Sequence, residues 1–156
     1  MGDVSGGSGD GDLRYPPQAI EAEQSTLGGM LLSKDAIADV VERLGHNDFY
    51  RPAHQMIFAA IVDLFAQGEP ADPITVAAEL ERRGQLARIG SATYLHTLMS
   101  AVPTAANAGF YATIVLEKSK LRRLVQAGTR IAQYGYSGVD GADVDDVIAR
   151  AQAEVY

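Results

Sequence analysis

The sequence predicts an all-α protein, in which a small globular domain of several helices is followed by a helical hairpin. Apolar residues recur at spacings of three and four along most of the chain, and no stretch shows the strict apolar–polar alternation of a strand. Proline, glycine and capping residues separate these periodic segments at the spacing expected of short helices. With 156 residues, 47% of them hydrophobic, the chain is long enough to bury one core.

The composition excludes several classes of protein. There is no cysteine, so neither a disulfide framework nor a thiolate metal site can form. Thirteen basic and twenty acidic residues give a net charge of −7, which argues against a domain that mainly wraps nucleic acid. No apolar run reaches membrane-spanning length, and the N-terminus lacks a secretory pattern, so we expect a cytoplasmic protein without membrane contact.

Three domain segments are expected. Residues 1–15 are rich in Gly, Ser and Asp, which predicts a disordered tail. Residues 16–109 are expected to form the helical globular subdomain, and residues 110–156 the hairpin.

Start and stop signals divide the globular subdomain into five helices. The first follows Pro16 and contains Gly28 and Gly29, whose cost in helix stability suggests the close approach of another helix. Ser33 can cap the second helix. The remaining signals, in chain order, are Pro52 and Gly68 for the third helix, Asp72, Pro73 and Gly84 for the fourth, and Ser91 and Pro103 for the fifth.

A longer periodic segment follows and predicts the first arm of the hairpin. Its apolar stripe is close to a heptad seam and consists of Phe110, Ile114, Glu117, Leu121, Leu124, Gly128 and Ile131. A helix of about 24 residues would be roughly 36 Å long. Residues 135–141 are typical of a turn, and the acidic residues from Asp143 onward suit the N-terminus of a second arm.

The second arm is expected to be truncated. As a helix, residues 143–156 would span only about 21 Å and could not cover the first arm. The segment also lacks the Gly, Pro, Lys or Arg that usually marks a helix end. We therefore expect a fragment of a longer chain, in which the uncovered seam contacts another molecule.

No motif for catalysis, cofactor binding or metal binding is found. The phosphate loop, the nucleophile elbow and the zinc-protease signature are all absent. His46, His54 and His96 are scattered, and we interpret them as ordinary histidines, with His54 the one expected to be buried. The basic cluster, defined as Lys118, Lys120, Arg122 and Arg123, could be solvated, could contact an acidic protein surface or could contact phosphate.

Several segments together resemble the N-terminal domain of bacterial replicative DNA helicases of the DnaB family. They are PQAIEAEQSTLGGML (17–31), DFYRPAHQMIF (48–58), DPITVAAEL (72–80), YLHTL (94–98), VPTAANA (102–108) and IVLEKSKLRRL (114–124). They occur in the order and at the spacing of the family, from about residue 16 to the end. The most specific are PTAAN and the EKSKLRRL that follows it.

The resemblance implies a collar of six such domains, arranged as a trimer of dimers through their hairpins, on a ring of ATPase motors. It implies docking of the primase C-terminal domain on this collar, and a helicase loader is a further possible partner. ATP, magnesium and most DNA contacts belong to the motor domain, which this chain does not contain. The chain itself is therefore expected to be no enzyme and to hold no cofactor.

The expected contact residues lie mainly on the first arm. They are Leu121, Arg122, Arg123, Leu124, Val125 and Ile131, with Tyr94 as a candidate on the globular subdomain. For the apolar members, the alternative is a place in the intramolecular core. Two other functions stay open: a nucleic-acid-binding domain that uses residues 118–123, and an unrelated small helical enzyme.

Overall fold

The computed structural model describes residues 15–138 and 141–155 and confirms the all-α class. Within these residues there are helices and no strand. The α-helices are α1 (Ile20–Leu32), α2 (Lys34–Val41), α3 (Pro52–Ala66), α4 (Pro73–Arg82), α5 (Leu86–Ile89), α6 (Ser91–Ala101), α7 (Ala108–Gly138) and α8 (Val144–Val155). Two short 3₁₀ helices, His46–Asp48 and Ala105–Asn107, precede α3 and α7. The predicted disordered tail lies outside the described residues, except for the exposed Tyr15.

The chain forms two compact units. The first unit is Gln18–Ser119, and the second combines residues 15–17, 120–138 and 141–155. Helix α7 contributes its first part to one unit and its second part to the other. The sequence places the start of the hairpin at residue 110, ten residues before this division.

The core of the first unit lies between α1, α3, α4 and α6. Its largest fully buried side chains include Leu27, Ile57, Leu80, Leu95 and Leu98. Gly28 permits the closest approach, because a Cβ atom at this position would lie 2.1 Å from the carbonyl oxygen of Leu98 in α6. The predicted reason for this glycine is thereby confirmed.

Two of the predicted capping residues, Ser33 and Asp72, are confirmed by hydrogen bonds. Ser33 Oγ accepts from the Ala36 amide at 3.3 Å, and Asp72 Oδ1 accepts from the amides of Ile74 and Thr75 at 2.9 Å. At α6, however, Gly90 occupies the N-cap position, and Ser91 is the first helical residue with a φ of 66°. Helix α5 was not predicted, because a single turn is too short to show a helical period.

Helix α7 is longer than the sequence predicts. It has 31 residues, or about 46 Å, and continues to Gly138. The turn predicted at residues 135–141 is therefore wrong for residues 135–138, and residues 139–140 lie outside the described part of the chain. Gly135 and Gly138 each lower helix stability by about 1 kcal/mol relative to alanine. Gly138 lies against α8, since a Cβ atom at this position would be 3.4 Å from the side chain of Val147. In the first unit α7 buries Ala108, Ala112, Val115 and Ser119, so Phe110 and Ile114 on the predicted seam are exposed.

In the second unit, polar groups fasten α8 to α7. Glu154 accepts hydrogen bonds from Arg130 Nε at 2.7 Å and from the Tyr134 hydroxyl at 2.5 Å. The Arg150 guanidinium lies 4.4 Å from the centre of the Tyr134 ring. We call Arg130, Tyr134, Arg150 and Glu154 the hairpin clip.

Candidate protein-interaction surface

Helix α7 carries an exposed apolar patch in the second unit, formed by Leu121, Leu124 and Val125. Their exposed fractions are 45%, 65% and 55%. The spacings of three and four residues place these side chains beside one another on the helix surface. The structure therefore brings three of the predicted contact residues together, and none of them belongs to the core of its own chain.

Ile131 lies on the side of α7 that faces α8. It follows the buried Ala127 by four residues and precedes Tyr134, which contacts α8, by three. Its side chain is half-buried. Part of the Ile131 surface is thus used inside the hairpin, and part is available to a partner.

The two predicted arginines differ in their surroundings. Arg122 is half-buried, and its Nη1 donates a hydrogen bond to the Pro17 carbonyl oxygen at 2.8 Å. This bond ties Pro17 to α7 within the second unit. Arg123 is exposed. In the basic cluster, Arg122 therefore has a role inside the domain, whereas the contact of the cluster with protein or phosphate stays a prediction.

Tyr94 belongs to the first unit and is half-buried on α6. Its ring stacks on the imidazole of His54, with 5.9 Å between ring centres and 6° between ring planes. Its oxygen lies 2.6 Å from His54 Nε2 and accepts from Gln24 Nε2 at 3.3 Å. Tyr94 and the α7 patch belong to different compact units.

Tyr94 is connected to a buried hydrogen-bond network formed by His54 and Glu23. Glu23 and His54 are 1% and 0% exposed. Glu23 Oε1 lies 2.6 Å from His54 Nδ1, and Glu23 Oε2 accepts from the Tyr50 amide at 2.7 Å. The predicted burial of His54 is confirmed. Glu23 was not predicted as a site residue, and the only local signal for it is a polar position within the buried stripe of α1.

Comparison with known proteins decides the family. Residues 15–117 match the family described as DnaB-like helicase N terminal domain. This chain belongs to that family. The DnaB resemblance inferred from the sequence is therefore confirmed, and the apolar patch lies on the long helix of a DnaB-type N-terminal domain.

Individual members of the DnaB family show how much of the chain is shared. The chain is 71% identical to the replicative DNA helicase DnaB of Mycobacterium leprae over 92% of its length, and 59% identical to that of Leifsonia xyli over 92%. A crystal structure of the N-terminal domain of DnaB helicase from Mycobacterium tuberculosis superposes with a TM-score of 0.87 at 68% identity. That match covers 91% of this chain and 99% of the other.

The chain spans only part of the curated DnaB helicases it matches. It covers 24% of the M. leprae protein and 31% of the L. xyli protein. The comparisons thus place this chain among the N-terminal domains of DnaB-type helicases.

Two kinds of feature, a metal-binding cluster and a membrane-spanning helix, are absent from the described residues. No group of three or more His, Asp or Glu side chains in this part of the chain is arranged to hold a metal ion. Among the helices described, none is long and apolar enough to cross a membrane.

Proposed function

We propose that this chain is the oligomerisation and primase-docking domain of a hexameric replicative DNA helicase. The observation that carries the proposal is the exposed apolar patch Leu121, Leu124 and Val125 on α7. Single exposed apolar side chains are common on protein surfaces and need no explanation. Three adjacent ones on one helix form a contiguous patch, which is typical of an interaction site.

The proposed partners follow from this role. The patch contacts the hairpin of a neighbouring subunit, so that dimers assemble into a six-membered collar. The C-terminal domain of primase docks on the assembled collar, with Tyr94, Arg123 and the free part of Ile131 as further contacts. A helicase loader is a possible third partner, and the assembly works in the cytoplasm.

The enzymatic steps belong to a different part of the helicase. ATP and magnesium bind to the motor domain, which also makes most of the DNA contacts, and this chain neither hydrolyses ATP nor unwinds DNA. Its contribution is to hold the ring together and to bring primase to the unwound strand. Incubation of the chain with ATP, magnesium and forked DNA should release no phosphate and separate no strands.

Light scattering after size exclusion tests the assembly and docking roles. The chain is measured alone and then mixed with the C-terminal domain of its cognate primase. Leu124→Glu places a charge in the patch, and Gln126→Glu places the same charge on an exposed polar position of the same helix. We expect the unaltered chain and the Gln126 variant to form dimers or larger assemblies that gain mass with primase.

The Leu124 variant should be a folded monomer with helical content equal to that of the unaltered chain. An assembly that survives Leu124→Glu would show that the patch is not the subunit interface. A chain that stays monomeric and gains no mass with primase, even when extended by about twenty residues of the parent protein, would contradict both roles.

A further inference from the structure

The hydrogen bonds around Tyr94 form one continuous chain from Gln24 through Tyr94 and His54 to Glu23. Gln24 Nε2 donates to the Tyr94 oxygen at 3.3 Å, and the Tyr94 hydroxyl donates to His54 Nε2 at 2.6 Å. His54 Nδ1 then donates to Glu23 Oε1 at 2.6 Å. A Glu23 carboxylate can only accept, so Nδ1 of His54 carries a proton, and in the neutral imidazole Nε2 is then the acceptor for the Tyr94 hydroxyl.

Glu23 connects this chain to the backbone at the start of α3. Its Oε2 accepts from the Tyr50 amide at 2.7 Å, and its Oε1 accepts a longer bond from the Arg51 amide at 3.4 Å. Helices α1, α3 and α6 therefore all contribute to holding one tyrosine. Because Glu23 and His54 are almost completely buried, water does not compete for these hydrogen bonds.

We propose that Glu23 and His54 are positioning residues for docking at Tyr94. They hold the half-buried ring in one orientation before the partner arrives, with one ring face stacked on His54 and the exposed part of the ring available to the partner. The inference rests on the proposed docking function and adds residues that do not themselves touch the partner. Ordering a side chain on binding lowers affinity, so a ring that is already ordered binds more tightly.

Binding of the primase C-terminal domain to four variants of the chain tests this inference. Tyr94→Ala removes the ring. Tyr94→Phe keeps the ring and removes the hydroxyl that His54 and Gln24 hold. Glu23→Gln replaces the carboxylate by a neutral group of the same shape. Tyr111→Phe is the matched control, because it removes the hydroxyl of another half-buried tyrosine in the same unit that lies outside the network.

Affinity is measured by calorimetry well below the melting temperature of each variant, and the motion of the Tyr94 ring is measured by ¹³C relaxation. We expect Tyr94→Phe to bind about three- to ten-fold more weakly than the unaltered chain, with no comparable loss for the control. Glu23→Gln should have the same effect and should also increase the motion of the Tyr94 ring. A residue with a merely structural role would lower the melting temperature without changing affinity or ring motion.

Each negative result has a separate meaning. If the unaltered chain does not bind the primase domain, the docking function is wrong, and the inference fails with it. If binding occurs but Tyr94→Ala leaves it unchanged, Tyr94 is not a docking residue, and the inference is overturned while docking elsewhere survives. If Tyr94→Ala weakens binding but folded Tyr94→Phe binds like the unaltered chain, positioning by the network is overturned alone. Tyr94→Phe keeps the ring and its stacking on His54. The comparison of Tyr94→Phe with the unaltered chain therefore remains decisive even if Glu23→Gln does not fold.

Discussion

Gly28 of α1 lies against the backbone of α6 so closely that its missing side chain is a structural requirement. A Cβ atom at this position would be 2.1 Å from the Leu98 carbonyl oxygen and 2.8 Å from the Leu98 carbonyl carbon. Both atoms belong to the backbone, so neither can move without displacing α6. The two helices that carry much of the core, and that also carry Glu23 and Tyr94, are thus set at a distance only glycine permits.

Gly28→Ala should therefore destabilise the first unit by about 3 kcal/mol, the upper part of the range for overpacked cores. The matched control is Gly128→Ala in α7, where a Cβ atom would meet nothing within 4 Å. That change should stabilise its helix by about 0.5–1 kcal/mol, because alanine has the higher helix propensity. Urea unfolding followed by circular dichroism measures both. Equal effects of the two substitutions would show that the α1–α6 contact does not constrain residue 28.

The buried hydrogen bond between Ser119 and Asp48 joins α7 to the 3₁₀ helix before α3. Ser119 Oγ donates to Asp48 Oδ1 at 2.7 Å, and both residues are buried. We expect Ser119→Ala to lower the free energy of unfolding of the first unit by about 1–2 kcal/mol, since a bond to a charged acceptor is lost. Ser100→Ala, at an exposed position of α6, should change it by less than about 0.5 kcal/mol. Thermal unfolding of the two variants at neutral pH distinguishes them, and equal melting temperatures would contradict the expectation.

Acid should weaken an ion-pair cluster on α4. Hydrogen bonds from Arg82 and Arg83 lower the pKa of Glu79 from 4.5 to about 2. Because the folded-state pKa is the lower one, the stabilisation by Glu79 is fully present above the unfolded-state pKa. It is lost as the pH falls through the window between about 4.5 and 2. Glu79→Gln should therefore be less stable than the unaltered chain at pH 7, and this difference should shrink towards pH 2.

Glu81→Gln is the control for this pH dependence, since Glu81 is exposed on the same helix. Urea midpoints between pH 7 and pH 2 should differ little between this variant and the unaltered chain at every pH. A Glu79→Gln difference that persisted unchanged at pH 2 would mean that the arginine contacts do not depend on the Glu79 charge. Added salt should reduce the difference at pH 7, because the cluster is near the surface.

The sequence predicts most of this fold because the determining signals are local. Apolar spacing and the caps Ser33 and Asp72 locate the larger helices, and Gly28 signals a close helix contact. The four-residue α5 is too short to show a period, and Gly135 gives a turn signal that is wrong, since α7 continues through it to Gly138. Helix propensity is a weak local preference, so one glycine does not by itself end a helix.

The candidate site, like the fold, was predicted from the sequence only where the signal is local. The exposed patch of Leu121, Leu124 and Val125 follows from helical spacing, so the sequence predicts these residues as a group. The network behind Tyr94 joins residues about 30 to 70 positions apart in the chain, and no local pattern pairs Glu23 with His54. A buried acid in α1 and a buried histidine in α3 become recognisable as partners only when the helices are packed.

The last prediction concerns the hairpin clip that fastens α8 to α7. The Tyr134 hydroxyl and Arg130 lower the pKa of Glu154, and the carboxylate in turn raises the pKa of Tyr134. Apolar side chains of α8 such as Val144, Ile148 and Val155 are exposed, so the arm depends more on these polar contacts than a helix with a buried apolar stripe would. Glu154→Ala should therefore raise amide hydrogen exchange throughout α8 while exchange in α1 and α3 is unchanged.

Gln152→Ala, at an exposed position two residues before Glu154, provides the control and should leave exchange in α8 unaltered. The same measurement on the unaltered chain should show α8 opening as the pH falls through the lowered pKa of Glu154. Below that value the carboxyl is protonated and the stabilisation from its charge is lost. If exchange in α8 is the same in Glu154→Ala as in the unaltered chain, the arm is held by packing such as Val147 against Gly138 instead. In that case the substitution that should release the arm is Val147→Ala.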